Sequence, residues 1–135
     1  MSYDREGLIA SAREAMMKAY APYSNFYVGA AFLMEDGTVI TGCNIENASY
    51  GAANCAERTA IFKAVSEGRR DFKALALCGG PKGVVDKACY PCGICRQVLN
   101  EFCKKDMEIL VATDSGYETT TLAEILPYSF SLEDW

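Results

Sequence analysis

The chain contains no histidine. That absence removes every Ser-His-Asp and Cys-His nucleophilic arrangement, and it removes imidazole as a metal ligand. A metal would have to be held by cysteine or carboxylate, and a proton carried by Asp, Glu, Tyr, Lys or Cys. Long apolar runs are missing as well. None approaches the roughly 20 residues of a membrane span, so no membrane association is expected. There is no excess of positive charge: 13 Lys and Arg stand against 18 Asp and Glu, a net charge of −5. Affinity for a phosphate backbone comes largely from Lys and Arg displacing counterions, so no nucleic-acid partner is expected. The opening MSYDREG is polar and acidic, unlike a secretory or transit signal, and the expected location is cytoplasmic. The sequence shows no internal repeat, low-complexity segment or long linker. Its 135 residues read as a single domain, 1–135.

Cysteine, in contrast, is plentiful. There are seven, an odd number in a chain that is not a small secreted scaffold. Cysteines used this way point to metal binding, catalysis or burial rather than disulfides.

Hydrophobic spacing predicts the elements. Leu8, Ile9, Ala12, Ala15, Met16, Ala19 and Tyr20 recur at helical spacing over 4–20, and Ala21-Pro22-Tyr23-Ser24 closes that helix. FYVGAAFLM from Phe26 and TVITG from Thr38 read as strands joined by the turn Glu35-Asp36-Gly37. CAERTAIFKAVSEG from Cys55 reads as a helix stopping at Gly68, and FKALALCGG from Phe72 as a strand. CGICRQVLNEFC from Cys92 is a further helix, MEILVAT a strand, YETTT a short fifth strand, and TLAEIL a last helix closed by Pro127. The order α-β-β-α-β-α-β-β-α implies an α/β fold, a mixed sheet with helices on both faces.

The chemistry gathers at two helix starts. Cys55 opens one helix, and Cys92 and Cys95 open the next. Backbone N–H groups and the positive end of the helix dipole favour thiolate there. The C-x-x-C spacing puts two sulfurs within one turn, suited to one tetrahedral zinc. If the fold brings Cys55 alongside, three thiolates leave one position open. Structural zinc is closed by four protein ligands and catalytic zinc keeps a place for water, so Cys89, Cys43, Cys78 and Cys103 stay open as fourth ligands of a closed knot. Glu57, two residues after Cys55, is placed to take a proton from water at such a metal. On an ideal helix, residues two apart diverge by about 200°, so both can face one site only if Cys55 is the cap. Three thiolates and Zn²⁺ sum to a negative centre, and Arg58 is positioned to offset it by bonding a ligand sulfur. Arg96 is a second candidate for that work. Read alone, Glu57 is also an ordinary acid in a helix first turn, and Arg58 a surface arginine.

CAERTA with PCGICRQVL, supported by APYSNFYVGAA, GCNIENASYG and ILPYSF, resembles the small homotetrameric zinc-dependent cytidine deaminases. The match spans nearly the whole chain and follows the three-cysteine form of the C-x-E and P-C-x-x-C signature. The resemblance implies a three-layer α/β/α cytidine deaminase-like fold with a mixed five-stranded sheet. It implies one zinc per subunit held by Cys55, Cys92 and Cys95, with Glu57 as the catalytic proton shuttle. It implies substrate contacts from Asn44 and Glu46 to ribose hydroxyls, from Phe26 to the pyrimidine face, and from the Ala56 N–H to the base carbonyl. Phe130 would reach a neighbouring subunit's site in a homotetramer. The implied reaction is hydrolysis of cytidine or deoxycytidine at C4, with ammonia released, as in pyrimidine salvage. GAAN before Cys55 and Tyr90 before Pro91 depart from the expected pattern.

The residues add physical support. A carboxylate at Glu46 accepts hydrogen bonds from sugar hydroxyls and repels phosphate, which favours a free nucleoside. Three other readings remain at this point: a deaminase of a modified cytosine nucleoside such as blasticidin S, a structural zinc module, and a thioredoxin-like redox C-x-x-C. The four cysteines outside the proposed ligand set read as buried thiols acting as small apolar residues, and Tyr90 as a site-lining or core-capping residue.

Overall fold

A computed structural model describes residues 2–132. The elements run α1 (Arg5–Met16), β1 (Phe26–Met34), β2 (Val39–Cys43), a 3₁₀ turn (Tyr50–Ala52), α2 (Ala56–Ser66), β3 (Phe72–Pro81), α3 (Gly93–Phe102), β4 (Glu108–Thr113), β5 (Gly116–Thr121) and α4 (Leu122–Ile125). The expected order of helices and strands holds. The five strands form one sheet in the order β2-β1-β3-β4-β5. β3 and β4 are parallel and the other neighbours antiparallel. The mixed pairing follows from the connections: tight turns join β1 to β2 and β4 to β5, whereas β3 and β4 are separated by a whole helix.

Side chains alternate across the sheet with period two. Phe32, Leu75, Leu77, Ile109 and Val111 face one side, where Ala56, Ala60, Ile61 and Ala64 of α2, Leu99 of α3 and Leu122 of α4 close the core. Ala31, Ala74, Ala76, Cys78, Leu110 and Ala112 face the other side and meet Leu8, Ile9, Ala12 and Met16 of α1. This is the three-layer α/β/α arrangement. The α1 face of the sheet is built from small residues, which lets that helix lie close. At Gly29 an added Cβ would stand 2.0 Å from the Ala12 carbonyl oxygen.

Two boundaries differ from expectation. α1 ends at Met16 rather than continuing to Tyr20, because Tyr20 pairs as an isolated bridge with Ile45. Its N–H donates to the Asn44 carbonyl at 3.0 Å, and its own carbonyl accepts from the Glu46 N–H at 2.8 Å. Tertiary pairing overrides helical spacing there. The last helix shrinks to Leu122–Ile125, capped by the Thr121 hydroxyl, which accepts from Glu124 N–H at 3.3 Å. α2, by comparison, stops as expected: Gly68 takes φ +84°, the Arg69 N–H returns to the Ala64 carbonyl, and the Gly68 N–H to that of Val65.

Candidate active site

α2 is held against β2 by the absence of a side chain. A Cβ on Gly42 would lie 2.5 Å from Ala60 N and 2.7 Å from the Ala56 carbonyl oxygen. This close approach fixes the start of α2 over the sheet, and with it Cys55, Ala56, Glu57 and Arg58.

Cys55 is the N-cap of α2, with extended φ −79°, ψ 158°. The cap geometry resolves the angular difficulty between Cys55 and Glu57, because the backbone is not yet helical at the sulfur-bearing residue. Cys92 is the N-cap of α3, and its sulfur accepts from the Cys95 N–H at 3.5 Å. The two helix N-termini converge. The sulfurs of Cys55, Cys92 and Cys95 all lie within 4.8 Å of one another, and Cys55 to Cys92 is 3.8 Å. Sulfurs at about 2.3 Å from one tetrahedral zinc stand roughly 3.8 Å apart, so this donor set fits zinc. Among the described residues, no other group of three or more His, Cys, Asp or Glu side chains gathers its donor atoms this way. Cys89 lies outside the cluster, on the wall of the adjoining cavity, and the closed four-cysteine knot loses its obvious fourth ligand.

Arg58 donates from Nη2 to Cys55 Sγ at 3.1 Å. Its Nε is buried with no hydrogen-bond partner among the described residues. Desolvation works against its charge, yet the hydrogen bonds to the sulfurs of Cys55 and Cys95 raise its pKa further. The Cys55 thiol is lowered to about 5, first by hydrogen bonding with Cys95 and then, against burial, by Arg58. Cys95 moves the other way, because it supplies the shared proton and is buried. Zinc takes sulfur as thiolate, the form that Arg58 favours at Cys55. Arg96 does not perform the same work. It donates from Nε to the Pro91 carbonyl and from Nη1 to the Ile125 carbonyl, both at 2.8 Å. Its side chain braces backbone and leaves sulfur neutralisation to Arg58.

Glu57 is 5% exposed, the one buried charged residue in the described core. Burial pushes its carboxyl up to about 7, and the Cys55 thiolate adds to the rise, while its own backbone N–H and Arg58 pull down. A first-turn surface acid would not be buried so.

A cavity of about 490 Å³ opens beside this cluster. Its lining includes Asn44, Glu46, Ala56, Glu57, Cys55 and Cys92, so the structure gathers most of the expected site. Phe26 is half-buried and Phe130 exposed, and neither is among the lining residues. The Phe130 carbonyl instead accepts from Gln97 Nε2 and Asn100 Nδ2, each at 3.0 Å. Asn44 spans the edge of β1, accepting from the Val28 N–H and donating to the Phe26 carbonyl, both at 2.8 Å. Glu46 accepts from the Tyr23 N–H at 2.9 Å, the Ser24 N–H at 3.2 Å and the Ser24 hydroxyl. The Ser24 hydroxyl leads the interactions that hold its carboxyl below the usual carboxylate range. Tyr90 is a lining residue, as are Tyr50, Asn54 and Ile94, three positions the sequence reading missed. Tyr50 belongs to the 3₁₀ turn, for which Ser49 and Gly51 were the available signal. Of the remaining cysteines, Cys78 is fully buried, and Cys43, Cys89 and Cys103 are half-buried. Burial pushes Cys78 and Cys89 to about 11 and Cys103 to about 12, and raises Cys43.

Residues 2–111 match the family model described as the cytidine and deoxycytidylate deaminase zinc-binding region. The chain belongs to the cytidine deaminase family. A cytidine deaminase of Sporosarcina psychrophila is 54% identical over 132 residues, covering 97% of this chain and 94% of that protein. A cytidine deaminase of Halalkalibacterium halodurans is 52% identical, with 97% of each covered. The crystal structure of the cytidine deaminase from Burkholderia pseudomallei superposes with a TM-score of 0.88 at 44% identity, covering 95% of this chain and all of that one. A blasticidin-S deaminase of Bacillus cereus is more distant, 29% identical over 92% of this chain and 90% of its own length. The match to a zinc-binding deaminase region agrees with a three-cysteine cluster whose geometry is compatible with one zinc ion.

Proposed function

We propose that the chain hydrolyses cytidine and deoxycytidine to uridine and deoxyuridine with release of ammonia. The observation that carries this reading is the buried Glu57 beside three converged sulfurs, at the head of a nucleoside-sized cavity. Cys55, Cys92 and Cys95 would hold the zinc. When bound, zinc supplies a Lewis acid that makes water a competent nucleophile near neutral pH.

The chain's own residues do the rest. Glu57, with its carboxyl near neutrality, can take a proton and return it. It would carry protons to N3 of the base and to the departing amine as water adds at C4. Desolvation around it keeps that exchange away from bulk solvent. Arg58 offsets the negative charge of the sulfurs. The Ala56 N–H, at the first position of α2, has no partner within the helix and suits the base carbonyl. Asn44 retains one amide N–H, and Glu46 retains acceptor capacity, for ribose hydroxyls. The same carboxylate disfavours a 5′-phosphate. Phe26 and Phe130 would approach the substrate in an assembled form. We further propose that this is a homotetramer of single-domain subunits, since Tyr50, Ile94 and Phe130 are left exposed near the cavity or the chain end. A cytoplasmic role in pyrimidine salvage, with no nucleic-acid or membrane partner, completes the reading; a net charge of −5 gives little attraction for a phosphate backbone.

The test compares cytidine, cytidine 5′-monophosphate and blasticidin S as substrates. The expected order is cytidine far ahead of the other two. Preference for the monophosphate would remove the role given to Glu46, and preference for blasticidin S would move the chain to the modified-nucleoside reading.

A further inference from the structure

Of the three sulfurs, that of Cys92 sits on the exposed residue, whereas Cys95 is buried and Cys55 half-buried. Cys92 is also an N-cap, so only part of its backbone is fixed by helical hydrogen bonds. It ends an irregular stretch, 82–92, between β3 and α3. The start of that stretch is fastened by backbone bonds: Lys82 N–H to the Asn25 carbonyl at 2.7 Å, and Val84 N–H to the Pro81 carbonyl at 3.0 Å. Its end is fastened by side chains. Arg96 takes the Pro91 carbonyl. The Tyr90 hydroxyl, two residues before Cys92, donates to Glu118 Oε1. Glu118 stands on β5, opposite Val111 of β4 in the sheet register. The edge strand β5, paired along its length with β4, is thereby linked to the segment that carries the exposed sulfur. Tyr90 is one of the positions where the chain departs from the pattern its motifs otherwise follow.

We propose that Tyr90 and Glu118 are positioning residues that hold Cys92 in place for the metal and so set how long zinc stays bound. Partners that orient a ligand without touching the metal commonly govern its affinity. This inference rests on Cys92 being a zinc ligand, as proposed above.

The measurement is the rate of zinc release to a coloured chelator, with the cobalt(II)-substituted protein's visible spectrum recorded alongside. Tyr90→Phe and Glu118→Ala should each speed release by about two- to tenfold, the range for one ordinary intramolecular hydrogen bond. The double variant should release no faster than either single one. Glu118→Gln, which still accepts a hydrogen bond, should stay near wild type. Thr119→Ala, on the same exposed strand, should change nothing. The cobalt spectrum should shift in the two disrupting variants, which a general loss of stability would not produce. Unchanged release in either single variant, additive effects in the double variant, or equal acceleration in Thr119→Ala would overturn the tether. A wild-type protein that binds no zinc would remove the ligand assignment itself; a zinc-loaded wild type with unmoved variants removes the tether alone.

Discussion

Cys55 shows how a single backbone conformation decides the chemistry of its neighbours. Because it caps α2 in extended geometry, its sulfur and the Glu57 carboxyl share one site although two positions separate them. The sequence pointed to that cap, since the angular conflict had no other solution. It also pointed to Arg58 through charge counting, and Arg58 does reach Cys55. Arg96 was the second candidate by adjacency to Cys95, but its position on α3 aims it at two carbonyls instead. Arg58→Ala should therefore weaken zinc retention by roughly ten- to a hundredfold, measured by chelator competition, whereas Arg96→Ala should chiefly lower thermal stability. Tyr128 gives a second prediction at this scale. It is fully exposed and sits at φ +53°, where a side chain costs about 1 kcal/mol or more. Tyr128→Gly should raise stability by about 1 kcal/mol in denaturant unfolding, because the strain is relieved and the core is untouched.

The elements were legible wherever spacing and punctuation agreed. β1 through β2, the stop of α2 at Gly68 and the start of α3 at Cys92 follow from runs of strand-forming residues, the Glu35-Asp36-Gly37 turn, and glycine or cap residues. The end of α1 was not legible, because a bridge to Ile45, distant in sequence, claims Tyr20. The 3₁₀ turn at Tyr50–Ala52 was missed for a similar reason: three residues carry no periodicity. What places the elements against one another is partly a matter of missing atoms. Gly42 reads as a strand residue in sequence, yet it is where α2 touches the sheet. Gly42→Ala should push α2 away and cost about 3 kcal/mol, visible as a lower denaturation midpoint. Zinc affinity should fall with it, since Cys55 moves as part of α2.

At the scale of the whole molecule, two cores of different character flank one sheet, and the N-terminus is tied to the outer part of that sheet. Arg5 Nε donates to Glu108 at 2.9 Å, and the Tyr3 hydroxyl donates to the same oxygen. Burial disfavours ionised Glu108, but the bonds from Tyr3 and Arg5 outweigh it and hold its carboxyl below its ordinary value of 4.5. A lowered carboxyl stabilises the fold above that value, and the contribution fades as pH falls through the folded-state value. Glu108→Gln should flatten the acid side of the stability profile below the ordinary carboxyl value of 4.5, followed by thermal melting. On the proposed mechanism, Glu57 and a zinc held by three cysteines together deaminate cytidine. The decisive experiment measures ammonia, uridine and bound zinc for the wild type beside Glu57→Gln. The expected result is one ammonia and one uridine per cytidine consumed by the wild type. The variant should hold equal zinc, with turnover lower by about a hundred- to ten-thousandfold. A zinc-loaded wild type that leaves cytidine intact, or a variant that keeps its full rate, would contradict the account.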